Sequence, residues 1–247
     1  MENNNNNNGR GIFYGVIGVA TLVVAIIGAT FAFFAASTNS ATNAITAASS
    51  TAGNLTLTQV TTGLKTNLIP VNETLGGFKS AVGLAANKCV DTVGNNICSV
   101  YQFTVTNGSA QAQSAYFYFT PSSNSFTNLH YAVFKGTPSS YDVTGTAVKD
   151  SGTATAAGNA AAGALVIGDT ALVSGNTTRQ EWTNLTQLLA ANGGSATYTV
   201  VLWVHETGND QTSADAGKAF AAGVTITTGS MNATGQATSG ITGVLAA

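Results

Sequence analysis

Side chains able to serve as nucleophiles, acids or metal ligands are scarce in this sequence. Its 247 residues include two cysteines, two histidines, ten acidic and eight basic side chains. His205-Glu206 opens like the H-E-x-x-H motif of a zinc protease, where two histidines on one helix face hold the metal and the glutamate acts as base. The position that should carry the second histidine is Asn209, and His205 ends an alternating run that predicts a strand, not a helix. His130, beside Tyr131 in another alternating run, has no suitable Cys or Ser nucleophile near it in sequence and is expected to be an ordinary strand residue. Asp210 and Asp215 in GNDQTSADAG could offer oxygens to Ca²⁺. Their spacing departs from that of an EF-hand loop, and turn formation is the expectation. No phosphate-binding loop, nucleophile elbow or dinucleotide fingerprint occurs. The chemistry-bearing residues therefore predict a protein that is not an enzyme and that uses no cofactor, metal or small-molecule substrate.

Cys89 and Cys98 lie nine positions apart in NKCVDTVGNNICSVY. Two histidines elsewhere are too few for a four-ligand zinc site. In an exported chain the natural reading is a disulfide that closes a loop whose Val-Gly-Asn-Asn tip suits a turn. A bridge of this size is worth about 3 kcal/mol in the loop-entropy account. Six N-x-S/T sequons, at Asn54, Asn72, Asn107, Asn176, Asn184 and Asn232, allow glycosylation in a host that performs it.

The element that sets the address of these groups is Gly11 to Ala36, 26 uncharged residues. As a helix it would reach ~39 Å, more than the ~30 Å hydrocarbon core of a bilayer. Three readings stand. It is a secretory signal cut after Ala32, where Thr30 and Ala32 form the small-x-small pair, although Arg10 is the only positive side chain before it. It is a pilin-type helix retained after a cut near Gly11, with Gly15, Gly18 and Gly28 permitting close helix approach. Or it is a plain membrane anchor. All three place the working protein outside the cell or at its surface, in contact with a membrane through this segment at least before processing. Residues 1–10 are an Asn-rich low-complexity stretch expected to be disordered or removed.

Charged side chains make up only 7% of the chain, against about 25% in ordinary globular proteins. With a net charge of −2 and no Lys/Arg cluster, nucleic-acid binding is excluded as an expectation. After an extended linker at 37–53, alternation predicts strands. Asn54–Val60 sets Leu55, Leu57 and Gln59 against Thr56, Thr58 and Val60. Ser99–Thr106 ends in the turn dipeptide Asn107-Gly108. Ala115–Thr120 places Tyr116 and Tyr118 opposite Phe117 and Phe119, and Leu129–Lys135 alternates again. Tyr141–Val148 and Ala164–Val173 are weaker candidates. Ala196–His205 and Ala219–Thr228 are expected to pair with each other, and Glu181–Ala191 suits a short helix. Residues 229–247 have little to bury and are expected to be a flexible tail. The fold expected for 54–228 is one all-β domain, an antiparallel jelly-roll-like β-sandwich.

Several of these stretches resemble the TasA/camelysin group of bacterial biofilm-matrix fibre proteins. Gly28-Ala29-Thr30-Phe31-Ala32-Phe33-Phe34 is similar to the end of the group's export signal. Ala52-Gly53-Asn54-Leu55-Thr56-Leu57 is similar to its first strand, and Val100–Asn107 to its strand that turns at Asn-Gly. Tyr198–Glu206 and Asp215-Ala216-Gly217-Lys218-Ala219-Phe220 are similar to its carboxy-terminal strands and the turn between them. The resemblance implies a secreted jelly roll that polymerises with copies of itself by donor-strand exchange. The donor would be Phe33 to about Ser50, and Phe33, Phe34 and Ile45, with Leu55 and Leu57 of the first strand, would take part in assembly. Two departures stand out: the cysteine pair is not a general mark of the group, and the donor holds few large side chains. A peptidase activity linked to camelysin finds no ligand set here. The rival to fibre subunit and pilin is a membrane-anchored surface adhesin that displays the rings of Tyr116–Phe119.

Overall fold

The computed structural model describes residues 14, 16, 17, 19–21, 45–47, 55–61, 68, 70–72, 89–91, 96–151, 160–208, 218–228 and 243–246. Among the described residues ten strands are found: β1 (Ile45–Ala47), β2 (Leu55–Thr61), β3 (Ser99–Asn107), β4 (Gln113–Asn124), β5 (Leu129–Lys135), β6 (Leu165–Leu172), β7 (Gln180–Leu189), β8 (Gly194–Val204), β9 (Phe220–Thr227) and β10 (Gly243–Ala246). They form two five-stranded antiparallel sheets, in the orders β1-β10-β9-β4-β7 and β2-β3-β8-β5-β6. The expected all-β sandwich is present.

The core between the sheets comes from the period-2 pattern of the strands. Leu55 and Leu57 are buried while Thr56 and Thr58 face out. Phe103 and Val105 of β3, Phe117 and Phe119 of β4, Tyr131 of β5, Trp182 of β7 and Tyr198 of β8 meet in one cluster. Phe117 meets Tyr198 edge-on at 5.1 Å between centroids, and Phe119 stacks on Tyr131 at 4.7 Å. Such contacts add to the area term that dominates the stability of a core. The sheet containing β8 is covered on its outer face too. Val100, Ala132, Phe134, Val201 and Trp203 pack there under Cys89, Ile97, Cys98, Tyr141 and Val143.

Four expectations are corrected. Glu181–Ala191 is not a helix but most of strand β7. Between Tyr116 and Tyr118 of β4 the partner on β7 jumps from Thr186 to Glu181. This irregularity brings Trp182, Leu185 and Leu189 to the core at three- and four-residue spacing, which imitates a helix face. Tyr141–Val148 is not a strand. Asp142 Oδ1 accepts from the amide and hydroxyl of Thr144 at 3.0 and 2.6 Å, an Asx turn that bends the segment over the sheet. β8 and β9 do not pair with each other, because β8 lies between β3 and β5 and β9 between β4 and β10. Finally, the stretch 229–247, expected as a tail, contributes β10, which satisfies part of the free edge of β9.

Of the signal or membrane helix expected over residues 11–36, residues 14, 16, 17 and 19–21 are described and are helical, and the rest lies outside the described residues; Thr21 Oγ1 donates to the Ile17 carbonyl at 2.7 Å. Among the described residues no helix is long and apolar enough to cross a membrane.

Candidate functional site

Sheet edges are the reactive parts of a sandwich, because their N–H and C=O groups lack partners within the sheet. Each sheet here has two edges, and they align as two flanks. One flank joins β1 and β10 with β2, and the other joins β6 with β7.

On the first flank, β10 pairs with β9 only over Gly223–Ile226 (Gly243↔Ile226 to Ala246↔Gly223). β1 then pairs with β10 through Ile45↔Leu245, Thr46↔Val244 and Ala47↔Gly243. Half of the eight-residue β9 is thus completed by a four-residue strand, and that in turn by a three-residue strand. Strands this short are weak partners.

The second flank is closed differently. Segment 148–150 crosses from one sheet to the other: Val148 N donates to the Leu165 carbonyl of β6 at 2.9 Å, and Asp150 N to the Asn184 carbonyl of β7 at 2.8 Å. Thr186 N donates back to the Asp150 carbonyl at 3.1 Å. The Asp150 side chain, fully buried, is the centre of a polar cluster. Lys135 Nζ from β5 lies 2.7 Å from its Oδ1, which also accepts from Ala160 N at 3.1 Å. Tyr198 OH from β8 donates to Oδ2 at 2.7 Å. Gln187 Oε1 of β7 lies 3.2 Å from both Lys135 Nζ and Tyr198 OH. Burial, and after it the Asp150 carboxylate, push the Tyr198 hydroxyl above the ordinary tyrosine range. Further along the flank, β6 and β7 enclose a groove of about 350 Å³ lined by Tyr131, Ile167, Asp169, Gln180, Trp182 and Asn184, among others. Its floor is internally bonded, Trp182 Nε1 donating to Tyr131 OH at 3.2 Å and that hydroxyl to Gln180 Oε1 at 3.0 Å.

The residues singled out in the sequence fall as follows. Cys89 and Cys98 are buried at disulfide distance, Cα atoms 5.2 Å apart. Leu55 and Leu57 lie in the core of the chain itself, opposite Asn107 and Val105 of β3. Ile45 opens β1, and Ala32, Phe33, Phe34, Asp210 and Asp215 lie outside the described residues. His130 sits on β5 with Nδ1 2.6 Å from Asp169 Oδ1, and its ring stacks on His205 at 4.7 Å. Among the described residues no group of three or more His, Cys, Asp or Glu could hold a metal ion. The Asn107 sequon is occupied structurally: Asn107 is fully buried, its Nδ2 donates to the carbonyls of Gln111, Leu189 and Ala190, and its Oδ1 accepts from Ser109. The turn it grips needs glycine at Gly194, where a Cβ would run into the Ala190 backbone. Of the rings of β4, Phe117, Tyr118 and Phe119 are buried, Tyr116 is half-buried, and Arg179 lies 5.4 Å over the Tyr118 ring.

The cluster of Lys135, Asp150, Gln187 and Tyr198 was not visible in the sequence. Its only sequence signal is that Lys135 and Asp150 are two of very few charges in a chain of short apolar strands.

No protein-family model matches this chain, and neither the curated proteins nor the solved structures give a match.

Proposed function

We propose that this protein is a secreted structural subunit of an extracellular filament or biofilm matrix, joined to copies of itself by donor-strand exchange. The observation that carries this reading is the incomplete closure of β9. Its outer edge is filled by two strands of four and three residues, and β1 belongs to the linker expected to act as donor. The same edge can accept a longer extended segment from a neighbour, whose N–H and C=O groups would run past the Gly223–Ile226 register of β10 towards Phe220. The order β3-β8-β5-β6 facing β9-β4-β7 supports the finer jelly-roll reading, in which the position beside β9 belongs to the strand an exchanged donor would replace. The resemblance to the TasA/camelysin group points the same way.

A second reading, a pilin-like subunit that keeps its apolar helix, is favoured by the helical residues around Val16 and by the exposure of Tyr14, Val16 and Val19. One experiment addresses both. A chain starting at residue 51 should remain a folded, disulfide-bonded monomer that no longer polymerises. Fibres formed by this truncated chain would overturn both readings. Fibres formed by a chain starting at Phe33, which lacks the helix but keeps the donor, would leave donor exchange standing and remove the pilin.

A further inference from the structure

We propose that Lys135 and Asp150 become joined by an amide bond once the chain has folded. Such a bond would be an internal cross-link between strand β5 and the segment that closes the β6–β7 flank.

The geometry meets the requirements of that condensation in turn. The amine and carboxyl are in contact at 2.7 Å, and the carboxylate is fully buried. Bringing reacting groups together in a fixed pose replaces a bimolecular encounter and removes much of the entropic part of the barrier. Here the pose is fixed on every side. Asp150 is held through its backbone by Asn184 and Thr186 and through Oδ1 by Ala160 N. Lys135 is held by its place on β5, where its amide donates to the Ala164 carbonyl at 2.9 Å. An ion pair withdrawn from water is costly, and the amide that would replace it carries no charge.

The step balances without any outside reagent. The lysine ammonium passes one proton to Oδ1 along their shared hydrogen bond. The freed Nζ lone pair attacks Cγ, and the negative charge that develops on Oδ2 is met by the Tyr198 hydroxyl, already at the 2.7 Å expected of an oxyanion donor. Nζ gives a second proton to Oδ1, the Cγ–Oδ1 bond breaks, and one water leaves. An ammonium and a carboxylate become one secondary amide and one water, with no change of oxidation state. The product is matched by its surroundings. Its remaining N–H faces Gln187 Oε1, 3.2 Å from Nζ, and its carbonyl oxygen keeps the Tyr198 hydrogen bond. The Lys135 side chain is 19% exposed, which leaves an exit for the water.

The test is the mass of the full chain, purified natively, then reduced and denatured, and mapped by trypsin. The expected result is a chain one water lighter than its processed sequence, with no cleavage after Lys135 and a branched peptide carrying residues 135 and 150. Lys135→Arg keeps the positive charge but cannot form this amide, and should restore both the water and the cleavage at position 135. A wild-type chain with its full mass overturns the proposal, as does a missing water that persists in Lys135→Arg. The first of these results does not depend on the variant's stability, because the wild-type mass alone can decide against the bond.

Discussion

Along the β6–β7 flank, one internal segment bonds to both edge strands and delivers a buried carboxylate to partners from β5, β7 and β8. Along the β9 flank, among the described residues, short runs of backbone pairing complete the sheet. The two flanks thus solve the edge problem in opposite ways. The first is closed by side chains whose partners come from both sheets, so opening it would strand buried polar groups in the interior. The second is closed by main-chain hydrogen bonds that any extended segment can supply. The proposed donor-strand exchange would use this asymmetry, with one flank that resists invasion and one that takes in a neighbour's segment.

The comparison breaks most sharply at Asp150. Asp150→Ala removes the acceptor of Lys135, Tyr198 and Ala160 together, and leaves the lysine and tyrosine in a largely buried site. The expected loss is about 3–5 kcal/mol, the range for removing one partner of a buried pair. Urea unfolding measures it, and a loss near zero would show that the flank is not held by this cluster. A smaller effect comes from alkali. Burial raises the hydroxyls of Tyr101, Tyr131, Tyr141 and Tyr198 above the ordinary value of 10.0, Tyr141 to about 12. All four lie in or over the sheet of β3, β5 and β8. A folded-state pKa above the unfolded one stabilises fully at pH below about 10 and loses that contribution as pH rises further. Each tyrosine kept protonated in the fold then costs up to about 1.4 kcal/mol per pH unit. Melting temperatures measured from neutral pH to above 10 should fall only at the alkaline end, in step with tyrosinate absorbance. Tyr198→Phe should make that fall shallower.

Where strands alternate regularly, the sequence is a good guide to this fold. The boundaries of β5 match the expected Leu129–Lys135, and β3, β4, β8 and β9 lie where alternation placed them. β7 escaped because its irregular register turns a period of two into spacings of three and four around Trp182, Leu185 and Leu189. The pairing of β8 with β9 failed for a different reason. Neighbourhood along the chain carries no information about sheet membership when strands cross between layers. The Lys135–Asp150 contact was illegible too. Its members are 15 residues apart, across the polar turn segment that follows β5, and Gln187 and Tyr198 complete it from two other strands. No local pattern announces such a meeting. Leu55 and Leu57 were legible as buried positions, but burial alone does not separate a subunit's own core from a contact with its neighbour.

The smallest expected effect tests the exchangeable flank directly. Ending the chain at residue 242 removes β10 and leaves Gly223–Ile226 of β9 without its outer partner. Because the lost strand contributes four residues of backbone pairing, the cost to the remaining sandwich should fall between about 0 and 1 kcal/mol, as for locally opening segments. The freed edge should then take up a synthetic peptide covering residues 37–50 more readily than the full chain does, measured by fluorescence anisotropy of the labelled peptide. A loss as large as that of Asp150→Ala would mean that β10 is as deeply committed as the stitched flank, and the contrast between the flanks would disappear. A retained fold with no gain in peptide uptake would locate the acceptor elsewhere. A retained fold with a gain would mean that β10 and a neighbour's donor compete for the same row of amides, so that filament growth is governed by how easily four residues let go.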